Sequence, residues 1–257
     1  MDDERFIIDI FRFLPSSKIK YLGRPLNCLR IERLIRSRFF SKSWIDSSSK
    51  SDPPPDFHNE KHKIMMDVMR IDDCVNERNN KYVMNSFQRA GVFMRKHFGA
   101  DYKFKYNASL FFNANTKDNK DFNFKGYFEN FKRVLENHSN KVSNYRKNYP
   151  KCKTCVLFVC DESNNYIQLT DKTKIINGQP YGEIRPHFYY DDKKFLDVIK
   201  NVDADYVVWF GCYKLLFVNE KKVRMSNACI YDVKHIKYDG INYDHSKMFK
   251  ATNEKQP

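Results

Sequence analysis

The sequence predicts an α/β protein in which a mixed sheet is joined by crossover helices and preceded by a helical N-terminal portion. Two observations support this fold class. An amphipathic helix pattern over about residues 126–148 leads directly into the apolar run CVLFVC at 155–160. A second, shorter helix pattern leads into the apolar run YVVWFG at 206–211. A helix followed by a short buried strand is typical of a crossover unit with parallel strands.

Residues 1–50 are predicted to form the helical portion, either as part of the main domain or packed on it. Pro15 ends a short apolar element, and Asn27 can cap a helix that runs through LRIERLIRSRFF. The core positions expected on this helix are Leu29, Leu34, Ile35 and Phe39. Arg30 and Arg33 lie on its remaining surface, where they are candidate contacts for nucleic acid.

The segment SDPPPDFHNEKHKIMMDVMRIDD, residues 51–73, begins as a proline-stiffened loop and is predicted to continue as a helix. On a helical wheel, Glu60 and Asp67 fall about 20° apart, beside an apolar face formed by Ile64, Val68 and Ile71. Two carboxylates at the edge of a core repel each other and resist dehydration, and a divalent cation would remove that cost. The alternative is that they pair with neighbouring lysines on an ordinary helix surface.

The helices and strands after residue 100 are also predicted from the spacing of apolar residues and from cap and turn residues. The helix at 126–148 carries its apolar residues at alternating steps of three and four, and Pro150 ends it. Asp191 or Asp192 can cap the second helix. The core positions of that second helix are Phe195, Leu196 and Ile199. Asn219 and Glu220 separate two short runs that are predicted to form a hairpin. Residues 102–115 are predicted to be two strands.

Other acidic and basic side chains are candidates for catalysis. Asp161 and Glu162 follow a buried strand, and ligands gather at the carboxyl ends of strands in open α/β sheets. Glu162 would act as the general base, and Lys117, or alternatively Lys214, as the cation that stabilises the transition state. The predicted metal ligands are Glu60, Asp67 and Asp161. An ordinary polar exit from a strand is the alternative for the acids at the strand end.

The order of these elements resembles that of the restriction-endonuclease-like nucleases, which are named for their PD…(D/E)xK motif. In that family an acid-bearing helix precedes strands with metal ligands and a lysine, and a crossover helix and another strand follow. The corresponding segments here are 57–73, 102–115, 126–148 and 155–160. Pro55 and Asp56 stand before the predicted helix, and residues 113–115 read Asn-Ala-Asn where the family has acid, any residue, lysine. The resemblance implies cleavage of phosphodiester bonds with Mg²⁺ or Mn²⁺.

The charge of the chain favours a polyanionic partner. Its formal net charge is +14 over 257 residues, and nucleic acid is the most common partner of such proteins. The candidate phosphate contacts are Arg30, Arg33, Lys125, Lys132, Arg133 and Lys147. DNA and RNA both stay open. A second function also stays open, a non-catalytic basic module that binds nucleic acid or a protein partner, and a solvated charged face is the plain alternative.

The cysteines and the lengths of the apolar segments indicate the cellular compartment and whether a zinc site is expected. The 7 cysteines show no disulfide-scaffold spacing, which favours a reduced, cytoplasmic location. No signal peptide or membrane span is recognised, so no membrane partner is expected. Cys152 and Cys155 form a lone CxxC without a second pair at zinc-ribbon spacing, so no zinc is expected. Residues 51–245 are predicted to be the α/β domain and 246–257 a polar, frayed tail.

Overall fold

A seven-stranded mixed sheet lies at the centre of the fold, with helices on both faces and a three-stranded sheet on one side. The predicted α/β class, with its crossover helices, is confirmed. The structure is a computed structural model, and it describes residues 3–37, 40–48, 52–73, 123–176, 179–211, 214, 217–218 and 221–251. Among the helices in these ranges, none is both long and apolar enough to cross a membrane.

The elements follow the chain in this order. The helices are α1 (Asp3–Arg12), α2 (Pro25–Arg36), α3 (Phe40–Ser43), α4 (Phe124–Ser139), α5 (Val142–Asn148) and α6 (Lys193–Lys200). The strands are β1 (Ile19–Leu22), β2 (Ile45–Asp46), β3 (Phe57–Asn59), β4 (Ile64–Ile71), β5 (Thr154–Asp161), β6 (Tyr166–Ile176), β7 (Gln179–Pro186), β8 (Tyr206–Phe210), β9 (Phe217–Val218), β10 (Lys221–Lys222), β11 (Ala228–Asp232) and β12 (Met248–Lys250).

Three parallel strands form the middle of the large sheet. The strand order is β1-β11-β8-β5-β4-β3-β2, and β4, β5 and β8 run in the same direction. Helices α4 and α5 lie in the connection from β4 to β5, and α6 lies in the connection from β5 to β8. The three strands are apolar along almost their whole length, because helices cover both faces of the sheet and alternation with polar residues would bury the polar ones. The carboxyl ends of these strands therefore meet at one edge.

The two faces of the sheet are covered by different parts of the chain. Met65 and Met69 of β4 pack with α4, α5 and α6, whereas Met66 and Val68 pack with α1 and α2. This division follows from the strand itself, since successive side chains point to opposite faces. Strand β1 belongs to the large sheet through its pairing with β11, so the N-terminal portion contributes a strand as well as helices.

The helix predicted over 57–73 is wrong. The chain forms strands β3 and β4 there, an antiparallel pair joined by a turn in which Lys63 has a φ of 55°. Strand β4 is buried on both faces, so its sequence is a short continuous apolar run. The periodicity of such a run does not distinguish a helix from a buried strand. The consequence for the site is large, since Glu60 lies in the turn and Asp67 lies in the middle of a strand.

Other predicted elements differ in smaller ways. Helix α2 begins at Pro25 rather than after Asn27, and Leu29 and Leu34 are only half-buried on it. The long helix is divided into α4 and α5. The residues buried on α2 are Cys28, Ile31, Glu32 and Ile35. The frayed tail is wrong for Met248–Lys250, which pairs with β6 as strand β12. Strands β5 and β8, helix α6 with its Asp192 cap and the β9–β10 hairpin are confirmed.

Candidate active site

Two carboxylates face each other where strand β3 leaves strand β4. The ladder between the strands ends with Phe57 opposite Met66, and one further step places Asp56 opposite Asp67. Opposite residues of an antiparallel pair lie on the same face of the sheet. Beyond Phe57 the pairing between the two strands ends. There Asp56 Oδ2 accepts a hydrogen bond of 2.7 Å from the backbone N–H of Val68.

Asp67 is held by side chains from the two crossover helices. It is only 4% exposed, and its Oδ2 accepts hydrogen bonds from His138 Nδ1 and, at 2.8 Å, from the Tyr145 hydroxyl. His138 lies near the end of α4 and Tyr145 on α5. Burial and the neighbouring Asp67 carboxylate raise the pKa of Tyr145 well above its ordinary value, so its hydroxyl stays a donor.

The two carboxylates repel each other. Burial, and next the negative charge of Asp67, raise the pKa of Asp56 from about 4 to about 7. Hydrogen bonding of Asp56 to Asp67 acts in the same direction, whereas the N–H of Val68 favours the charged form. Asp56 is half-buried, so a cation from solvent can reach it at lower cost than it could reach Asp67. The pair is therefore a place where a proton or a divalent cation relieves a repulsion created by the fold.

This repulsion predicts a pH-dependent stability. The folded state binds a proton at Asp56 more tightly than the unfolded state does, so stability falls as pH rises from about 4 to about 7 and is constant above. Asp56→Asn should remove this component and be about 2–4 kcal/mol more stable than the wild type at pH 8, with little difference at pH 4. Urea unfolding at several pH values measures it. Glu60→Gln, which changes an exposed acid, is the control, and parallel curves for wild type and Asp56→Asn would contradict the prediction.

A second buried group lies at the carboxyl edge of the parallel strands. Asp161 ends β5 and forms an ion pair of 3.2 Å with Lys214, whose side chain is only 4% exposed. Its Oδ2 also accepts hydrogen bonds from the Tyr127 hydroxyl at 2.5 Å and from Trp209 Nε1 at 3.0 Å. Lys214 Nζ donates further to Ser163 Oγ at 2.6 Å. Every charge in this group is compensated, which indicates a structural role in joining β5, β8 and α4.

A third buried acid, Asp192, joins the C-terminal segment to the core. It caps α6 through a hydrogen bond from the Lys194 N–H, and its Oδ2 contacts His187 Nε2 at 2.9 Å and His245 Nε2 at 2.8 Å. Burial alone would raise the pKa of Asp192, but the hydrogen bonds from the two histidines outweigh it and bring the pKa to about 2. This cluster fixes the segment that leads into β12, and it is separate from the Asp56–Asp67 pair.

The acids predicted to share one metal ion do not converge. Glu60 is exposed in the β3–β4 turn and pairs with Lys151 at 2.8 Å. Asp67 lies beside Leu157 of β5, and Asp161 lies four residues further along that strand, a separation of about 13 Å along the strand direction. Glu162 makes an ion pair of 3.5 Å with Arg70. In the part of the chain that is described, no group of three or more His, Cys, Asp or Glu could hold a metal ion.

The predicted phosphate contacts divide into two surfaces. Arg30 and Arg33 are exposed on α2, on one face of the large sheet. The others are exposed on the helices of the opposite face. They are Lys125, Lys132 and Arg133 on α4 and Lys147 on α5. The sheet lies between the two sets, so they lie on opposite faces of the large sheet. Lys117 and the strands predicted over 102–115 lie outside the described residues.

The sequence places Asp56 before the predicted helix, where the prolines leave its position relative to Asp67 open, and it gives no indication that His138 contacts Asp67. A hairpin prediction for residues 56–71 would have placed Asp56 beside Asp67, because the polar run NEKHK supplies a turn between two apolar segments. The contact of His138 and Tyr145 with Asp67 had no local signal, since they are 71 and 78 residues apart from it.

Comparison with models of protein families, with curated proteins and with solved structures finds no significant match to this chain.

Proposed function

We propose that the chain is a divalent-metal-dependent nuclease in which Asp56 and Asp67 hold the cation. The observation that supports the proposal best is the placement of two carboxylates side by side at the point where β3 leaves β4. A fold gains no stability from forcing two acids together, and the cost is relieved when a cation binds. Such a cation polarises a phosphodiester and activates water.

The residues fit Mg²⁺ or Mn²⁺ better than a metal that needs a full protein cage. Magnesium is usually held by one or two carboxylates, with water and the phosphates of the substrate completing its octahedron. Asp56 and Asp67 supply the two carboxylates, and Asp67 already has a fixed orientation because His138 and Tyr145 bind its Oδ2. Hydrogen-bonded ligands of this kind hold their position when a metal enters or leaves.

The order of elements also supports the proposal. An N-terminal helical part, two strands with acids, a crossover helix and a parallel strand follow one another here as α1–α2, β3–β4, α4 and β5, an order similar to that of the restriction-endonuclease-like nucleases. Pro55 and Asp56 directly precede a strand, as in the PD half of their motif. Met69 stands two residues after Asp67, where those enzymes carry lysine. A cation for the transition state would therefore come from elsewhere, and Lys117 is still a candidate.

A second candidate function is a non-catalytic nucleic-acid-binding module. Two observations favour this function. Met69 stands where the nucleases carry a lysine, and Asp67 Oδ2 already accepts hydrogen bonds from His138 and Tyr145. The net charge of +14 supports nucleic-acid binding under both functions and does not distinguish them.

One experiment separates the two functions. The purified protein is incubated with plasmid, linear duplex, single-stranded DNA and RNA in Mg²⁺, in Mn²⁺ and in EDTA, and metal binding is measured by calorimetry in parallel. The proposal expects cleavage that EDTA stops and heat of metal binding that Asp56→Asn abolishes. Salt-sensitive binding of nucleic acid with neither cleavage nor metal binding would establish the non-catalytic module instead.

A further inference from the structure

Strands β6 and β7 extend beyond the body of the protein as a two-stranded ribbon. The ribbon, defined here as residues 170–176 of β6 and 179–183 of β7, continues the pairing of the three-stranded sheet past a register shift between Leu169 and Thr173. Leu169 and Ile184 still pack against the core. From Asp171 outward, most of the side chains described on the ribbon are exposed although the backbone is paired.

The outer part of the ribbon carries large apolar side chains in solvent. Ile175, Ile176 and Tyr181 are 50%, 51% and 51% exposed. Ile176 and Tyr181 share one face of the ribbon with Lys174, because Lys174 is opposite Tyr181 and Ile176 is two residues further along the strand. Ile175 lies on the other face, opposite Pro180. A two-stranded ribbon without a core beneath it is only marginally stable in water, and clustered exposed apolar residues usually mark a contact surface. These features indicate that the ribbon packs against a binding partner.

The charges around the ribbon favour a polyanion. Its two acids are both paired, Glu183 with Lys172 at 3.1 Å and Asp171 with Lys247 at 2.9 Å. Within the described residues, Lys174 is exposed and has no acidic partner. A second copy of a chain with a net charge of +14 would be repelled at long range, whereas a nucleic acid would be attracted.

We infer that the β6–β7 ribbon enters the major groove of duplex DNA, with Ile176 and Tyr181 against base edges and Lys174, on the same face, reaching the phosphate backbone. The inference rests on the proposed function, for which it specifies the substrate. Two strands lie about 4.8 Å apart, and the major groove of B-form DNA, about 12 Å wide, admits a two-stranded ribbon with its side chains. Apolar side chains contact the thymine methyl group there.

This fit discriminates between nucleic acids. The major groove of an A-form RNA duplex is deep and narrow, and side chains do not reach its base edges. A single strand offers no groove. The ribbon therefore assigns the substrate to duplex DNA, which the composition of the chain left open.

The test measures binding without cleavage. Fluorescence anisotropy in EDTA is used with a labelled DNA duplex, the RNA duplex of the same sequence and the single DNA strand. The variants are Ile176→Ser with Tyr181→Ser, and Lys174→Ala. Their matched controls are Ile45→Ser, which changes an isoleucine that is 56% exposed on β2, and Lys237→Ala, which changes an exposed lysine outside the ribbon residues.

The wild type should bind the DNA duplex at least about tenfold more tightly than the RNA duplex, and the double variant Ile176→Ser with Tyr181→Ser should lose about tenfold in affinity. Lys174→Ala should weaken binding a few-fold and lower the salt dependence by about one phosphate contact. The controls should bind as the wild type does, and all variants should keep its circular dichroism.

Several outcomes would overturn the inference. Equal binding by the ribbon variants and the wild type removes the ribbon from the interface while leaving the proposed nuclease intact. A preference for the RNA duplex has the same effect. If sedimentation shows that the wild type self-associates and the double variant Ile176→Ser with Tyr181→Ser does not, with DNA binding unchanged, the ribbon contacts a second copy. Failure of the wild type to bind any nucleic acid would reject the proposed function together with the inference.

Discussion

Asp67→Asn is expected to lower the metal-dependent cleavage that we propose by about 10³-fold or more, because a bound cation contributes several kcal/mol to the stabilisation of a phosphodiester transition state. Asparagine keeps the size of the side chain and an oxygen acceptor for His138 and Tyr145, so the fold should be retained. Cleavage of a duplex substrate at saturating Mg²⁺ or Mn²⁺ measures the loss, and calorimetry should show that metal binding disappears with it.

The control for this experiment is Glu60→Gln. Glu60 belongs to the same hairpin and is acidic, but it is exposed and pairs with Lys151, so its loss should leave the rate within about twofold, as is usual for surface substitutions of this kind. Asp56→Asn should resemble Asp67→Asn in rate while gaining stability above neutral pH. Cleavage that continues in both aspartate variants would show that the cation is held elsewhere and would reject the assignment of the site.

Lys214→Met is expected to destabilise the protein by about 3–5 kcal/mol, the usual effect of removing one partner from a buried ion pair. Asp161 is 1% exposed, and without the ammonium group its carboxylate would stay buried with only neutral donors. Urea unfolding at pH 7 measures the loss. Lys237→Met, which removes an exposed lysine, should change stability by less than about 0.5 kcal/mol.

The double variant Lys214→Met with Asp161→Asn distinguishes a buried ion pair from simple loss of packing. Removing both charges together should recover most of the stability that Lys214→Met loses, because the uncompensated carboxylate is no longer present. If the double variant is no more stable than Lys214→Met, the contribution of Lys214 is packing of its aliphatic chain. The assignment of the Asp161–Lys214 pair to structure and not to catalysis also predicts that folded protein of the Lys214→Met variant keeps the metal binding that we propose for Asp56 and Asp67.

The crossover units could be predicted from the sequence because each of their signals is local. CVLFVC is a short apolar run between polar residues, and α4 to α6 carry apolar residues at helical spacing, so period and length decide the element. The cap of α6 could be narrowed to Asp191 or Asp192 for the same reason, since a cap depends on the residues that immediately follow it. The cores of β5, α6 and β8 therefore followed from a few neighbouring residues each.

The hairpin at residues 57–71 could not be separated from a helix by the same means. Strand β4 is buried on both faces, so its apolar residues do not alternate and its acid does not stand out as inward or outward. The helix prediction also changes the expected site, because a helical wheel places Glu60 close to Asp67. In the strand pair Glu60 is in the turn, and Asp56 is the acid beside Asp67.

By itself, the sequence determined the α/β class, the crossover units and the strong positive charge, since these depend on composition and on periods of two or 3.6 residues. Only the tertiary structure decided which acids meet. Whether Asp67 faces Asp56, Glu60 or Asp161 depends on strand register, and a slip of one residue turns every side chain to the other face. The contacts of His138 and Tyr145 with Asp67 depend in turn on how α4 and α5 pack on the sheet, which no single stretch of the chain specifies.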